Sequence, residues 1–397
     1  MKNLKNFLTF AACSAVLCSI GCGGGSHSST TNTIASSGTN VAPITVNAGP
    51  AGNYVNGAFA SVTVCVPGTS TCQTIDGLLV DTGSIGLRIL STALTIALPQ
   101  EKASDGNPIA ECVQFVDSYT WGPVKTADMQ IASETASGLP IQVLSDTDFT
   151  VPSSSCTSSG TSADTLPALE ANGILGVGLF PQDCGSPCPA TQNMYYECPS
   201  STGCVAIVAS LTQQVQNPVV AFASDNNGVI LELPAVSGAE ATLSGSLVFG
   251  IGTQSNNGLG SATVYNTDPN GDFTTVYKNN TYSQSFIDSG SNGYFLPDSS
   301  IPQCAQNSGA SGFYCPTSTE NLSATNQGNT VGSGTVDFSV ANAVTLFSNA
   351  SDSVFGDLGG PASGYFDWGL PFFYGRNVYT AIEGTSAPGG TPPYWAY

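Results

Sequence analysis

Apolar residues along this chain recur in runs of about four to eight, alternating or continuous, divided by clusters of Gly, Pro, Asn and Ser; this is a pattern of strands and turns. Phe59 to Val64 alternates, Val66 to Thr71 turns, and Gln73 to Val80 returns as a strand. Val113 to Ile131 reads as a hairpin with Ser118-Tyr119-Thr120-Trp121-Gly122-Pro123 near its tip. Gly173-Ile174-Leu175-Gly176-Val177-Gly178 is a small apolar strand whose glycines suit close backbone packing. Apolar residues at 207, 208, 211 and 215 predict a short helix ending before Pro218, after which Val219 to Leu233 and Gly245 to Gly250 resume strands. Later come a strand at Gly334 to Phe338 and the closing apolar segment Phe366-Asp367-Trp368-Gly369-Leu370-Pro371-Phe372-Phe373, followed by Asn377 to Ile382.

Two of the predicted strands end alike. Leu78-Leu79-Val80 runs into Asp81-Thr82-Gly83-Ser84, and Ser285-Phe286-Ile287 runs into Asp288-Ser289-Gly290-Ser291. In each, a Gly two residues after the Asp permits a tight turn, and the hydroxyl residue between them can hydrogen-bond local backbone. A Gly-punctuated apolar strand follows each copy. This is an internal repeat of roughly 200 residues, too long for a solenoid and suited to two related lobes. The expected division is an N-terminal β-lobe over 44–226 carrying Asp81 and a C-terminal β-lobe over 227–397 carrying Asp288, with the change in Asp225-Asn226-Asn227-Gly228. Two such loops face to face would bring their carboxyls together as an acid–base dyad.

The amino terminus changes the picture of where the protein resides. Lys2 and Lys5 precede an apolar run from Phe7 to Leu17, too short for a stable membrane span, which leads into Ser19-Ile20-Gly21-Cys22. Residues 1–22 read as a lipoprotein-type signal resembling a bacterial cleavage site, with Cys22 lipidated; an ordinary signal peptide with a nearby cut is the rival reading. Residues 23–43, mostly Gly, Ser, Thr and Asn, are expected to be a flexible tether. The expected location is the bacterial cell envelope, lipid-anchored and otherwise periplasmic or extracellular. The formal net charge of −20 disfavours nucleic acid and anionic lipid as partners, so the membrane is met through the anchor alone.

Cysteines point to the same compartment. With Cys13, Cys18 and Cys22 set aside, ten remain, an even number suited to five disulfides under oxidising conditions. Cys65 and Cys72 flank a Pro-Gly turn, and Cys304 and Cys315 flank a short loop. Connectivity among Cys184, Cys188, Cys198 and Cys204 stays open, with zinc as the rival use of that cluster.

In these motifs and their order the chain resembles the pepsin-like aspartic proteases, and also a group of exported bacterial proteins grouped as a domain of unknown function. The resemblance implies an all-β, bilobal fold with a cleft between two related lobes. Carried onto this sequence, it implies Asp81 and Asp288 as the catalytic pair, activating a water against a polypeptide substrate as a monomer. Thr82 and Ser289 would form the hydroxyl network beneath the pair, Gly83 and Gly290 the turns, and Ser84 and Ser291 bonds around the carboxyls. Tyr119 is the candidate for a tyrosine over the substrate. No metal or cofactor is implied.

Arg88 stands where that family has a Trp, and a cation beside the pair would favour two ionised carboxylates and hinder proton sharing. On that ground the rival is a surface lipoprotein that keeps the cleft without hydrolysis and binds peptide or carbohydrate. Other mechanisms fail on inventory. The single histidine, His27, lies in the expected tether, which removes Ser-His-Asp, Cys-His and His-ligated zinc chemistry. Asp268-Pro269-Asn270-Gly271-Asp272 mimics the start of a calcium loop but has Asn279 where the closing Glu belongs, and reads as a hairpin turn.

Overall fold

A computed structural model describes residues 32–149, 155–185, 187–199 and 203–397. The expected signal, Cys22 and His27 lie outside the described residues. Those from Asn32 to Tyr397 form one compact unit. It is all-β and bilobal, built from a 16-stranded and a 7-stranded sheet, with a two-stranded pair beside them. Among the described residues only short helical turns interrupt the strands.

Each lobe is organised around one middle strand. In the first, Cys72–Asp81 runs parallel to Gly173–Val177, with Val80 opposite Leu175 and Asp81 opposite Gly176. The chain turns after Asp81 and returns as Ile85–Leu90, antiparallel to the other side of the same strand. In the second, Asn280–Ile287 runs parallel to Phe366–Trp368, with Ile287 opposite Trp368. That chain turns after Asp288 and returns as Tyr294–Leu296 on the far side of Phe366–Trp368. The repeat read from sequence is therefore a repeat of topology. The glycines of the first middle strand are there for closeness: a Cβ on Gly173 would sit 2.0 Å from Arg88 O, and one on Gly176 would sit 2.7 Å from Ile85 C.

Both lobes hang on a shared sheet. Val41–Asn47 pairs with Leu243–Phe249, which pairs with Gly228–Leu233, which pairs with Arg376–Ala381. Leu231, Leu233 and Leu247 are fully buried there. The second lobe fills with aromatics: Phe366 stacks on Trp368 at 4.5 Å, and Phe338 meets the same indole edge-on at 5.3 Å.

Three expectations change. Residues 32–43 are docked rather than loose: Asn32 Nδ2 donates to Leu233 O at 2.9 Å, and Ala35 N donates to Glu232 Oε2 at 2.6 Å. Polar composition hid this docking, because it runs through backbone and amide groups. The segment 207–215 is not helical. Ile207 and Ala209 bond in extended fashion to Tyr195 and Cys188, and the helical turn comes later, as a 3₁₀ turn at Pro218–Ala221 inside the expected strand. Finally, Asp268–Asp272 is a turn closed on its own Asp268 carboxyl and joins strands that pair elsewhere, so it is not a hairpin.

The ten cysteines form five disulfides, Cys65–Cys72, Cys112–Cys156, Cys184–Cys188, Cys198–Cys204 and Cys304–Cys315. The open cluster thus pairs locally, and its sulfurs are not free for zinc. Five disulfides fit an oxidising, extracellular or periplasmic environment.

Asn56 pins the lobes to each other. It is fully buried with φ 52°, Nδ2 donates to Asn292 O and Phe355 O at 2.9 Å each, and Oδ1 accepts from Phe355 N at 2.7 Å and Tyr374 Oη at 2.8 Å. Asn56→Ala orphans these partners and is expected to destabilise the fold by roughly 3 kcal/mol in urea denaturation. A loss below about 0.5 kcal/mol, the level of an ordinary surface change, would count against the pin.

Candidate functional site

Two strand ends meet at the bottom of a cleft of about 890 Å³ lined by both Asp loops. The loops hold each other by reciprocal bonds. Thr82 N donates to Ser289 Oγ at 3.1 Å, and Ser289 N donates to Thr82 Oγ1 at 3.0 Å. The same hydroxyls donate onward, Thr82 Oγ1 to Ile287 O at 3.3 Å and Ser289 Oγ to Val80 O at 2.7 Å. Each hydroxyl thus both accepts from and donates to the opposite loop, and both side chains are buried.

This grip brings the carboxyls together. A Cβ on Gly83 would lie 2.6 Å from Asp288 Cγ, and one on Gly290 would lie 2.8 Å from Asp81 Cγ. Each glycine is the space into which the other lobe's carboxyl fits. Asp81 Oδ1 accepts from Gly83 N at 2.8 Å and Ser84 N at 3.1 Å, and Oδ2 accepts from Ser84 Oγ at 2.5 Å. Asp288 Oδ1 accepts from Gly290 N at 2.7 Å and Oδ2 from Ser291 Oγ at 2.8 Å. Thr82, Gly83, Ser84, Ser289, Gly290 and Ser291 thus all lie against the two carboxyls or hold their loops. Burial, together with the neighbouring charges of Asp81 and Asp367, holds the Asp288 carboxyl well above the usual range. The arrangement thus sets Asp288, with its raised proton affinity, directly beside the Asp81 carboxyl.

Two other groups join the site. Tyr54 lines the cleft and donates to Gly290 O at 3.4 Å, and burial beside Asp81 and Asp288 keeps its phenol neutral. Asp367, in the middle strand of the second lobe, also lines the cleft. Its carboxyl is pushed up to about 8 by burial, with Ser291 opposing and Asp81 adding to the shift. Sequence reasoning passed over both. The signal for Asp367 was present: it is the one ionisable residue in the apolar run Phe366–Phe373.

Arg88 turns away from the cleft. Its Nη2 reaches Glu111 Oε1 at 3.1 Å and Asp183 Oδ2 at 3.0 Å, in a buried cluster where Tyr195 Oη donates to Asp183 Oδ1 at 2.6 Å. Burial opposes the guanidinium charge, but Glu111 and Asp183 outweigh it, so the cation is spent within this cluster. Arg88 is not among the residues lining the cleft.

Tyr119 is not there either. The hairpin of Ile109–Gln114 and Ser118–Ile131 turns at 115–117, earlier than expected, and its tip residues Phe115, Val116 and Asp117 line the cleft. Tyr119 lies opposite Gln114 and packs in a small core with Cys112, Trp121 and Tyr196. Gly122-Pro123 drew the expected turn too far along. Gly122 instead lets two strands touch, since a Cβ there would fall 1.9 Å from Val143 O.

No curated protein matches the chain. Among solved structures it is similar to the aspartic proteinase from Irpex lacteus, at 17% identity over 90% of this chain and 96% of that chain, with a TM-score of 0.48. The family model described as "Protein of unknown function (DUF3443)" matches residues 36–397, and the chain belongs to that family.

Proposed function

We propose that this protein is an exported aspartic endopeptidase in which Asp81 and Asp288 hydrolyse peptide bonds through a shared water. The observation that carries the reading is the reciprocal Thr82–Ser289 grip with Gly83 and Gly290 fitted against the opposite carboxyls. A pair of buried carboxyls is costly to hold together, and this frame holds them.

In the proposed cycle Asp288 begins protonated and Asp81, with its three donors, begins as the carboxylate. Asp81 takes a proton from the water as its oxygen attacks the scissile carbonyl carbon, while Asp288 gives its proton to the carbonyl oxygen. The tetrahedral diol then collapses. Asp288 recovers a proton from one hydroxyl, the C–N bond breaks, and the amine leaves with the proton that Asp81 had taken. The hairpin tip, with Val116 77% exposed, supplies an apolar lip over the bound chain. The placement of Arg88 removes the ground for a cleft unable to share a proton, so hydrolysis is favoured over mere binding.

The same proposal carries the location and partners: a signal ending at Cys22, a lipid anchor there, a monomer, and polypeptide as substrate. The five disulfides support export, and the anchor rests on the amino-terminal sequence alone.

Cleavage of a mixed peptide library, scanned from acidic to neutral pH, tests the reading. The wild type is expected to cleave, and Asp81→Asn or Asp288→Asn to lower kcat by at least about 100-fold with thermal stability retained. A folded wild type that cleaves nothing at any pH sinks it. The rate profile is expected to be bell-shaped, with its alkaline limb above the ordinary carboxylate range because loss of the Asp288 proton ends activity.

Stability carries a matching signature. Folded Asp288 and Asp367 keep their protons above the ordinary carboxylate value, while the unfolded chain gives its own up near 4. The unfolded state is therefore the more ionised one between about 4 and about 8, and stability falls as pH rises through that window. Urea midpoints at pH 5 and pH 8 are expected to show this drop, and Asp367→Asn to shrink it; an unchanged drop in the variant would refute the assignment.

A further inference from the structure

The two lobes present one equivalent position to the cleft with opposite chemistry. In the first lobe Ile174 pairs with Leu79, two residues before Asp81. In the second lobe Asp367 pairs with Phe286, two residues before Asp288. Both middle-strand residues line the cleft and both are 4% exposed. An aliphatic side chain meets the packing needs of this position in the first lobe. The fold thus has no evident need of a carboxyl at the matching place in the second.

That carboxyl is also incompletely satisfied. Asp367 Oδ1 is buried without a hydrogen-bond partner, an arrangement that native structures rarely keep without use. The ionisable groups facing it are Asp81, Asp288 and Tyr365, with Ser291 beside them, and none is a cation. Further out, Asp117 at the hairpin tip and Asp272 on the second lobe's turn also line the cleft. Among the described residues no Lys, Arg or His lines it. The chain as a whole carries −20.

We infer that the cleft takes polypeptides bearing a basic side chain, and that Asp367 is the subsite carboxyl that receives it beside Asp288. This rests on the peptidase reading of the same cleft. A Lys ammonium or Arg guanidinium brings a charge-assisted donor to a cleft-lining carboxyl that otherwise keeps one oxygen unpaired. The Asp367 carboxyl, pushed up to about 8 in the free cleft, gives its proton to solvent as the cation arrives, so the ion pair adds no net charge beside Asp288 and leaves the catalytic pair its shared proton. Asp117 and Asp272 draw the positive chain in at the rim. A neutral side chain at this subsite would leave Asp367 as it stands, protonated and short of a partner.

The test uses matched peptides that differ only in Lys or norleucine at each position flanking the cleaved bond, at neutral pH. The wild type is expected to favour Lys at one position by about tenfold or more in kcat/KM, and Asp367→Asn to bring that ratio to within about twofold of one. The same peptides are titrated against the uncleaving Asp288→Asn chain, where Kd is expected to show the same preference. Cleavage indifferent to charge overturns the inference and leaves the peptidase reading standing. A Lys preference that survives Asp367→Asn overturns the assignment to Asp367. Absence of cleavage with a Lys preference in Kd removes the peptidase reading and keeps the basic subsite. Should Asp367→Asn fail to fold, Asp117→Asn with Asp272→Asn decides the matter: a Lys preference at one position that this variant keeps stays with Asp367, and one that it loses belongs to the rim and overturns the assignment.

Discussion

Two hydroxyls, each reaching into the other loop, are the constraint on which the rest of this structure depends. Thr82 Oγ1 and Ser289 Oγ each accept a backbone N–H from the opposite lobe and donate to a carbonyl there. Bonds of this kind are worth only about 1 kcal/mol each on net, yet leaving a buried partner unsatisfied costs more, so all four stand or fall together. They fix two backbones close enough that only glycine fits at 83 and 290. The carboxyls of Asp81 and Asp288 then have nowhere to go but against each other. Burial first, and the charge of Asp81 second, raise the proton affinity of Asp288, so the confinement is met by retention of a proton rather than by separation.

The frame behind this contact is built twice. A strand ending in Asp, a turn, and a return strand flank a short middle strand in each lobe, and the shared sheet through Val41–Asn47 and Leu243–Phe249 keeps the two copies in fixed relation. Duplication makes departures from symmetry informative. Ile174 against Asp367 is one, and it puts a third carboxyl beside the pair on one side only. Arg88 marks another: a buried cation that in principle could disrupt proton sharing is instead neutralised by Glu111 and Asp183 in its own cluster. Among the described residues, the carboxyls that line this cleft thus meet no Lys, Arg or His in its walls.

Much of this was legible from residue order. Alternating apolar runs marked the strands, the two Asp-Thr/Ser-Gly-Ser stretches marked the loops, and an even set of ten cysteines marked an oxidising compartment. Failures came where a local pattern had two physical causes. Gly122-Pro123 looked like a turn, but the glycine serves contact with Val143, while the real turn at 115–117 contains neither Gly nor Pro. Apolar residues at 207, 208, 211 and 215 had helical spacing, yet edge bonds to Tyr195 and Cys188 held that segment extended. A polar stretch at 32–43 looked loose because composition does not report backbone bonds.

The sequence by itself determined the class of fold, its duplication, and the identity of the two acidic loops, because each rests on local chain geometry and on which face of a strand is apolar. Only the tertiary structure decided where charged groups point: Arg88 away from the cleft, Tyr119 into a side core, Asp367 into the site. It also decided how the clustered cysteines pair. The placements of Arg88 and Asp367 depend on register with strands far along the chain, Arg88 opposite Ile174 and Asp367 opposite Phe286, where a shift of one position would send every side chain to the other face. Local sequence carries no record of that register, and the folded sheet does.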